Sequence, residues 1–324
     1  MNEPIIVADV GGTNGRFGIA EFTPNGVELS RTQKYSNSGL GGFDELLSLY
    51  LEELGNDAPR AACFATAGPN DGRRGFLTNL SWELDAGALE SRFGLDEVLF
   101  VNDFKALARM APELPEDGSI AVNNVPRSES GPVTVIGPGT GLGVALVLQE
   151  ANGLITVGTE GGHMSFAPAN EQEVAIRQFL AREHEHVYAE LLLSGNGLCR
   201  INEFLVAEHD RGESGLTAAD ITDRALAGDS DCEECVLLFL SILGSVAGDV
   251  ALCHGALGGV FLGGGIVRRV IPLLERSDLN ERFCAKGRMR DYMSDIAIRL
   301  ITAERVARSG AARLFQQHQA AGGR

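Results

Sequence analysis

Two stretches of this chain follow one plan. Residues 5–20 run from apolar Ile5-Ile6-Val7-Ala8 through a turn-rich Asp9-Val10-Gly11-Gly12-Thr13-Asn14-Gly15 into Phe17-Gly18-Ile19-Ala20. Residues 133–147 repeat it: Val133-Thr134-Val135-Ile136, then Gly137-Pro138-Gly139-Thr140-Gly141, then Gly143-Val144-Ala145-Leu146-Val147. Short apolar runs joined by glycine turns read as β-hairpins, and two copies of one device predict two related lobes. The length of 324 residues points the same way, since single cores rarely grow past about 250–300 residues. Glycine occurs 41 times, close to twice ordinary usage, an excess that needs local explanations.

Between the hairpins, apolar spacing predicts a helix over 43–54, a buried strand over 61–65 and a helix over 84–93. A strand over 98–101 then ends at Asn102-Asp103, where an α/β sheet presents groups to a ligand crevice. Beyond the second hairpin, helices are expected over 171–184, 197–208 and 232–254. Val260-Phe261-Leu262 enters Gly263-Gly264-Gly265-Ile266, a third strand-to-glycine turn, which feeds a helix. No low-complexity linker separates the lobes, so short crossings should join them. The expected division is a small α/β domain over 1–113, completed by a C-terminal helix over 303–324, and a large α+β domain over 114–302.

The formal net charge of -17 repels nucleic-acid backbones and anionic membrane surfaces, so neither is expected as a partner. No apolar stretch of membrane-spanning length runs free of polar interruption, and the start lacks the basic region of a signal peptide, which predicts a cytoplasmic protein. Six scattered cysteines suit reduced, mostly buried thiols. Cys232 and Cys235 form a CxxC without a second ligand pair, better read as helix packing than as a metal site. Lysine occurs only at Lys34, Lys105 and Lys286, none in the GxxxxGK arrangement of a P-loop. A bound nucleotide would therefore be held by backbone amides.

Asp9-Val10-Gly11-Gly12-Thr13 fits that requirement: its glycines expose N–H groups on one side and Thr13 adds a hydroxyl. An ordinary hairpin turn is the plainer reading. A carboxylate beside phosphates is repulsive unless a cation intervenes, which marks Asp9 as a holder of Mg²⁺, through water. Gly139 and Thr140 would supply the second clamp. Gly264 and Gly265 would give a flat surface for purine and ribose, or simply close helix-to-strand packing. Asp103 reads equally as a helix cap or as a carboxylate delivered to a cleft. Gly161-Gly162 separate Glu160 from His163, so that backbone could approach a ligand. Glu190, before Leu191-Leu192-Leu193-Ser194-Gly195, is either an inner-edge polar group or an exposed helix residue.

Taken together these segments resemble the bacterial glucokinase family lacking a zinc motif, within the actin-like, Hsp70-like and hexokinase-like ATPase superfamily. The resemblance runs nearly end to end. It rests on DVGGTNGRFGIA (9–20), TNLSW (78–82), VNDFKALARMAPEL (101–114), GPGTGLGVALV (137–147), EGGHMSFAP (160–168), LSGNGL (193–198), DITDRAL (220–226) and GGVFLGGGIV (258–267). It implies an α/β, two-lobed actin-like (ribonuclease H-like) fold with a nucleotide and sugar cleft between lobes. It further implies ATP-dependent phosphorylation of D-glucose, with Asn102, Asp103, Glu160, His163 and Glu190 around the sugar and Asp103 as general base. Ala8 through Thr13 match the family's phosphate loop, and a homodimer is implied as well. This chain departs in having Ala8 for a commoner Gly, Pro138 for a frequent Ala, and ERVARSGAARLF for a usual Pro-Gly-Leu-Leu-Gly-Ser-Gly-Ala ending. A kinase of another hexose or amino sugar, and a non-catalytic actin-like or chaperone-like ATPase, are the rival readings. Lobe closure on bound sugar, excluding water, is the motion such chemistry needs.

Overall fold

Ile5, Val7 and Asp9 point to one face of the first strand and Ile6, Ala8 and Val10 to the other, and every one of these apolar side chains is buried. That two-sided burial places β1 (Ile5–Val10) inside a sheet. The computed structural model describes residues 3–24, 26–77, 80–150 and 153–322. Residues 78 and 79 of the TNLSW segment lie outside these. The chain divides into two compact units, Met1–Glu113 with Glu304–Arg324, and Leu114–Ala303.

In the first unit β1 pairs antiparallel with β2 (Asn14–Thr23), and β2 with β3 (Gly26–Ser36). On the other side, β4 (Ala61–Thr66) and β7 (Glu97–Asn102) continue parallel to β1, giving the order β3-β2-β1-β4-β7. A separate hairpin joins β5 (Arg74–Leu77) to β6 (Trp82–Asp85). The helix Phe43–Leu54 buries Phe43, Leu46, Leu47 and Tyr50 against Phe17, Phe64 and Phe100 on one face. The helices Asp103–Met110 and Val306–Ala320 cover the opposite face, packing Ala106, Ala311 and Phe315 on Val7, Ala65 and Val101.

The second unit repeats the plan. β9 (Val133–Pro138), β10 (Leu142–Glu150) and β11 (Gly153–Thr159) form the antiparallel part. β12 (Gly259–Leu262) and β13 (Ile298–Ile301) extend it in parallel, and the short β8 (Ser119–Ala121) adds an antiparallel edge. The order β11-β10-β9-β12-β13-β8 reproduces that of the first sheet, with β8 as the addition. The helix Ser230–His254 is the core of this unit. By length and composition it could cross a membrane, although Ser241, Ser245 and Asp249 interrupt it, but 78% of its most apolar window is buried inside the protein. Cys232 and Cys235 lie on its buried side. Desolvation pushes the Cys235 thiol well up, and its Sγ contacts the Leu198 carbonyl oxygen at 3.5 Å, so the CxxC serves packing.

The structure corrects several element boundaries. The helix expected over 84–93 begins only at Ala86: Trp82 and Leu84 are buried with Glu83 exposed between them, a period of two. Asp85 then caps the helix by accepting from Ala88 N at 3.0 Å. The helix expected over 171–184 ends at Leu180, and that expected over 197–208 starts at Gly195, where Ser194 accepts from Gly197 N. Both hairpin turns are shorter than the glycine runs indicate, because pairing continues through Val10 and Pro138.

Candidate active site

The first constellation stands where β1, β4 and β7 end. Their parallel register places Val10 beside Thr66 and Thr66 beside Asn102, so three carboxyl-terminal strand ends form a row. Asn102 caps the following helix, its Oδ1 accepting from Lys105 N at 3.0 Å. That resolves the ambiguity over Asp103. It is the first helical residue rather than the cap, and its Oδ1 accepts from Phe104 N at 2.8 Å. Burial, followed by the negative charge of Asp9, pushes the Asp103 carboxyl up to about 6. Burial likewise raises Asp9, opposed by the cations Arg16 and Arg308, with Arg16 Nη1 at 3.9 Å.

The turn after β1 is reduced to Gly11, Gly12 and Thr13, with Thr13 exposed. Ala8 and Val10 have buried side chains, and their backbones sit in the sheet between β2 and β4. They position the turn and offer no side-chain donor. A Cβ on Gly11 would meet nothing within 4 Å, so neither packing nor torsion within the chain explains that glycine. Two residues that sequence reasoning missed complete the region. Asn37, 3% exposed, donates from Nδ2 to Gly11 O at 2.8 Å, and its own amide donates to Thr13 O at 2.9 Å. Its Oδ1 and the hydroxyl of Thr66 are buried without a hydrogen-bond partner among the described residues. Asn37-Ser38-Gly39 reads as an ordinary turn in sequence, and only the pairing of β2 with β3 brings it under the loop.

The second constellation gathers around Leu142, the first residue of β10. Its amide donates to Glu190 Oε2 at 2.7 Å, fixing the Glu190 carboxylate beside Gly141. A Cβ on Gly162 would overlap the Leu142 carbonyl oxygen, and one on Gly161 would press on Val144. Close packing on β10 is therefore one reason both positions are glycine. The packing leaves Glu160 and His163 exposed on the same short segment. Phe166 N to Val187 O and Ala189 N to Met164 O, both 2.9 Å, stitch this segment to the one carrying Glu190. The His163 ring rests 4.8 Å from that of Tyr188.

Gly139 lies at the tip of the turn between β9 and β10, open around its missing Cβ, while Thr140 is exposed. Gly264 has φ +89, and a Cβ there would overlap the carbonyl oxygen of Pro138. Close backbone packing therefore accounts for it, whereas Gly265 faces open space.

Paired sheets of matching order, each with a glycine hairpin at its centre, give the chain the two-sheet architecture found in sugar kinases. A glucokinase from an Antarctic psychrotroph superposes with a TM-score of 0.85 at 32% identity, covering 98% of this chain and 100% of that one. A glucokinase of the ROK family from Streptomyces griseus, solved with glucose and AMPPNP, shares the fold at a TM-score of 0.69 and 20% identity, covering 97% of this chain and all of that one. The chain belongs to the glucokinase family, whose family model matches residues 6–318. The glucokinase of Saccharophagus degradans is 38% identical over 316 residues, 97% of this chain and 98% of that protein.

Proposed function

We propose that this chain transfers the γ-phosphoryl group of ATP to D-glucose, forming glucose 6-phosphate, the first step of glycolysis, with Asp103 as general base. The observation that carries the reading is the state of Asp103. It stands at a strand end, freed from capping by Asn102, with its carboxyl pushed up to about 6. A base of that strength is ionised at neutral pH yet holds a proton far better than an ordinary aspartate. It accepts the sugar hydroxyl proton as the oxygen bonds phosphorus. Asn102, Glu160, His163 and Glu190 bond the other hydroxyls, so a wrong epimer leaves a polar group unpaired.

The residues present fit a Mg²⁺-nucleotide. Gly11 and Gly139 leave backbone open where a Cβ would otherwise stand, and the Asn37 and Thr66 oxygens lack partners among the described residues. Gly11, Gly12, Thr13, Gly139 and Thr140 would hold the phosphates, and Gly264 and Gly265 the nucleoside side. Among the described residues no group of three or more His, Cys, Asp or Glu is placed to hold a metal ion. Asp9 would hold the cation as a single carboxylate, through water, a mode that suits Mg²⁺. When bound, Mg²⁺ neutralises charge developing on the phosphates. On the family resemblance alone, the reading extends to a cytoplasmic homodimer.

Coupled assays with glucose, mannose, fructose and N-acetylglucosamine test the substrate. The kcat/KM for glucose should exceed that of each rival by about tenfold or more, the size of one unpaired buried polar group. A higher value for any other sugar would overturn glucose as the substrate.

A further inference from the structure

The strand β3 ends at Ser36, paired with Asn14, so the residue that follows falls beside the turn Gly11-Gly12-Thr13. That residue is Asn37, and it grips the turn twice. Its main-chain amide donates to Thr13 O at 2.9 Å, and its side-chain Nδ2 donates to Gly11 O at 2.8 Å. The Gly11 amide closes the turn on itself, donating to Asn14 O at 3.2 Å.

The side-chain bond sets the direction of a donor. In a trans peptide the carbonyl and the following N–H point opposite ways, so aiming Gly11 O at Asn37 turns the Gly12 N–H away from it. Gly12 is partly exposed, and among the described residues its amide has no main-chain acceptor. Glycine on both sides lets this peptide rotate at little cost, since no Cβ opposes either arrangement. Rotated by half a turn, it would present the Gly11 carbonyl oxygen where the N–H now stands. The Asn37 side chain is what selects the donor.

Packing alone does not call for asparagine here. The residue is 3% exposed, and its Oδ1 is buried without a partner among the described residues. An apolar side chain of similar size would fill the space without leaving an acceptor unpaired. Nor can the amide be reversed, because Oδ1 would then face Gly11 O, acceptor against acceptor. The donation from Nδ2 is what asparagine adds.

We propose that Asn37 is a positioning residue for nucleotide binding: its side-chain amide holds the Gly11–Gly12 peptide so that the Gly12 N–H is presented to a phosphate oxygen. The proposal rests on the kinase reading above.

The test is isothermal titration of Mg²⁺-AMPPNP, and separately of glucose, into the full chain and its Asn37→Ala and Asn37→Asp variants, together with steady-state kinetics. Asn37→Ala removes the donor, and Asn37→Asp keeps the shape while replacing the donor with an acceptor; the main-chain bond to Thr13 O survives in both. Asn37→Ala should raise the Mg²⁺-AMPPNP Kd and the KM for ATP about tenfold, the size of one buried hydrogen bond, and Asn37→Asp at least as much. The kcat should fall less than about threefold, the pattern of lost uniform binding, and the glucose Kd should stay as it is. Nucleotide binding within about threefold of the unaltered chain in both variants, whatever their melting temperatures, would reduce Asn37 to a brace of the hairpin and overturn the proposal. So would a glucose Kd weakened by the same factor as the nucleotide Kd. Should Asn37→Ala fail to fold, Asn37→Asp decides by the same two criteria. If the unaltered chain binds no Mg²⁺-AMPPNP, the kinase reading itself falls; if it binds and the variants bind alike, only the role of Asn37 does.

Discussion

Asp103→Asn is expected to lower kcat by about a thousandfold, the middle of the range for removing a general base, while glucose binding persists and the melting temperature rises. The two effects share one cause. The folded protein raises this carboxyl from 3.8 to about 6, so the folded state prefers it protonated. Stability is greatest where the carboxyl is protonated in both states and falls as pH rises from about 4 to about 6. Above that window the ionised carboxylate costs at most about 3 kcal/mol, because Asp103 is only half-buried. Asparagine retains an acceptor for Phe104 N without the charge, so a melt at neutral pH should shift upward by several degrees. The same shift predicts that kcat/KM in the unaltered chain falls tenfold per pH unit below about 6. Near-normal turnover in Asp103→Asn would remove Asp103 from the base role. A lowered melting temperature would mean that the fold stabilises the charge instead of straining it.

Gly310→Ala should destabilise the protein by roughly 3 kcal/mol, the upper end of the usual range for overpacking and opposite in sign to helix propensity. In the interior of an exposed helix the change would stabilise by about 1 kcal/mol. Here the added Cβ would fall on the Ala106 carbonyl oxygen, a backbone atom with no rotamer by which to withdraw. The helix would have to lift from Ala106, loosening Ala311, Leu314 and Phe315 from the first sheet. Chemical denaturation reads the outcome. A variant as stable as the parent would show that the helix slides at little cost.

The two hairpins were legible because each pairs apolar runs with glycine in a short window, and their repetition foretold two units on one plan. The edge strands β3 and β11 were not. Ile155 and Val157 on β11 are exposed, and β3 is polar along most of its length, so neither carries a core-facing signature. Asp103 could not be separated from a cap in sequence because Asn102 and Asp103 are both good caps, and the choice appears only in which side-chain oxygen accepts from Lys105 N. Glycines were ambiguous for a similar reason. Gly11 and Gly264 look alike in sequence, yet one faces open space and the other is pressed against Pro138. Asn37 was invisible as a site residue, since its partner Gly11 lies 26 residues away.

The most direct test of the central claim is a product balance on the purified chain with ATP and Mg²⁺, measuring ADP and glucose 6-phosphate with and without glucose. ADP and glucose 6-phosphate are expected in equal amounts, with little ADP when sugar is omitted. ATP hydrolysis that proceeds alike with and without glucose, forming no sugar phosphate, would contradict it.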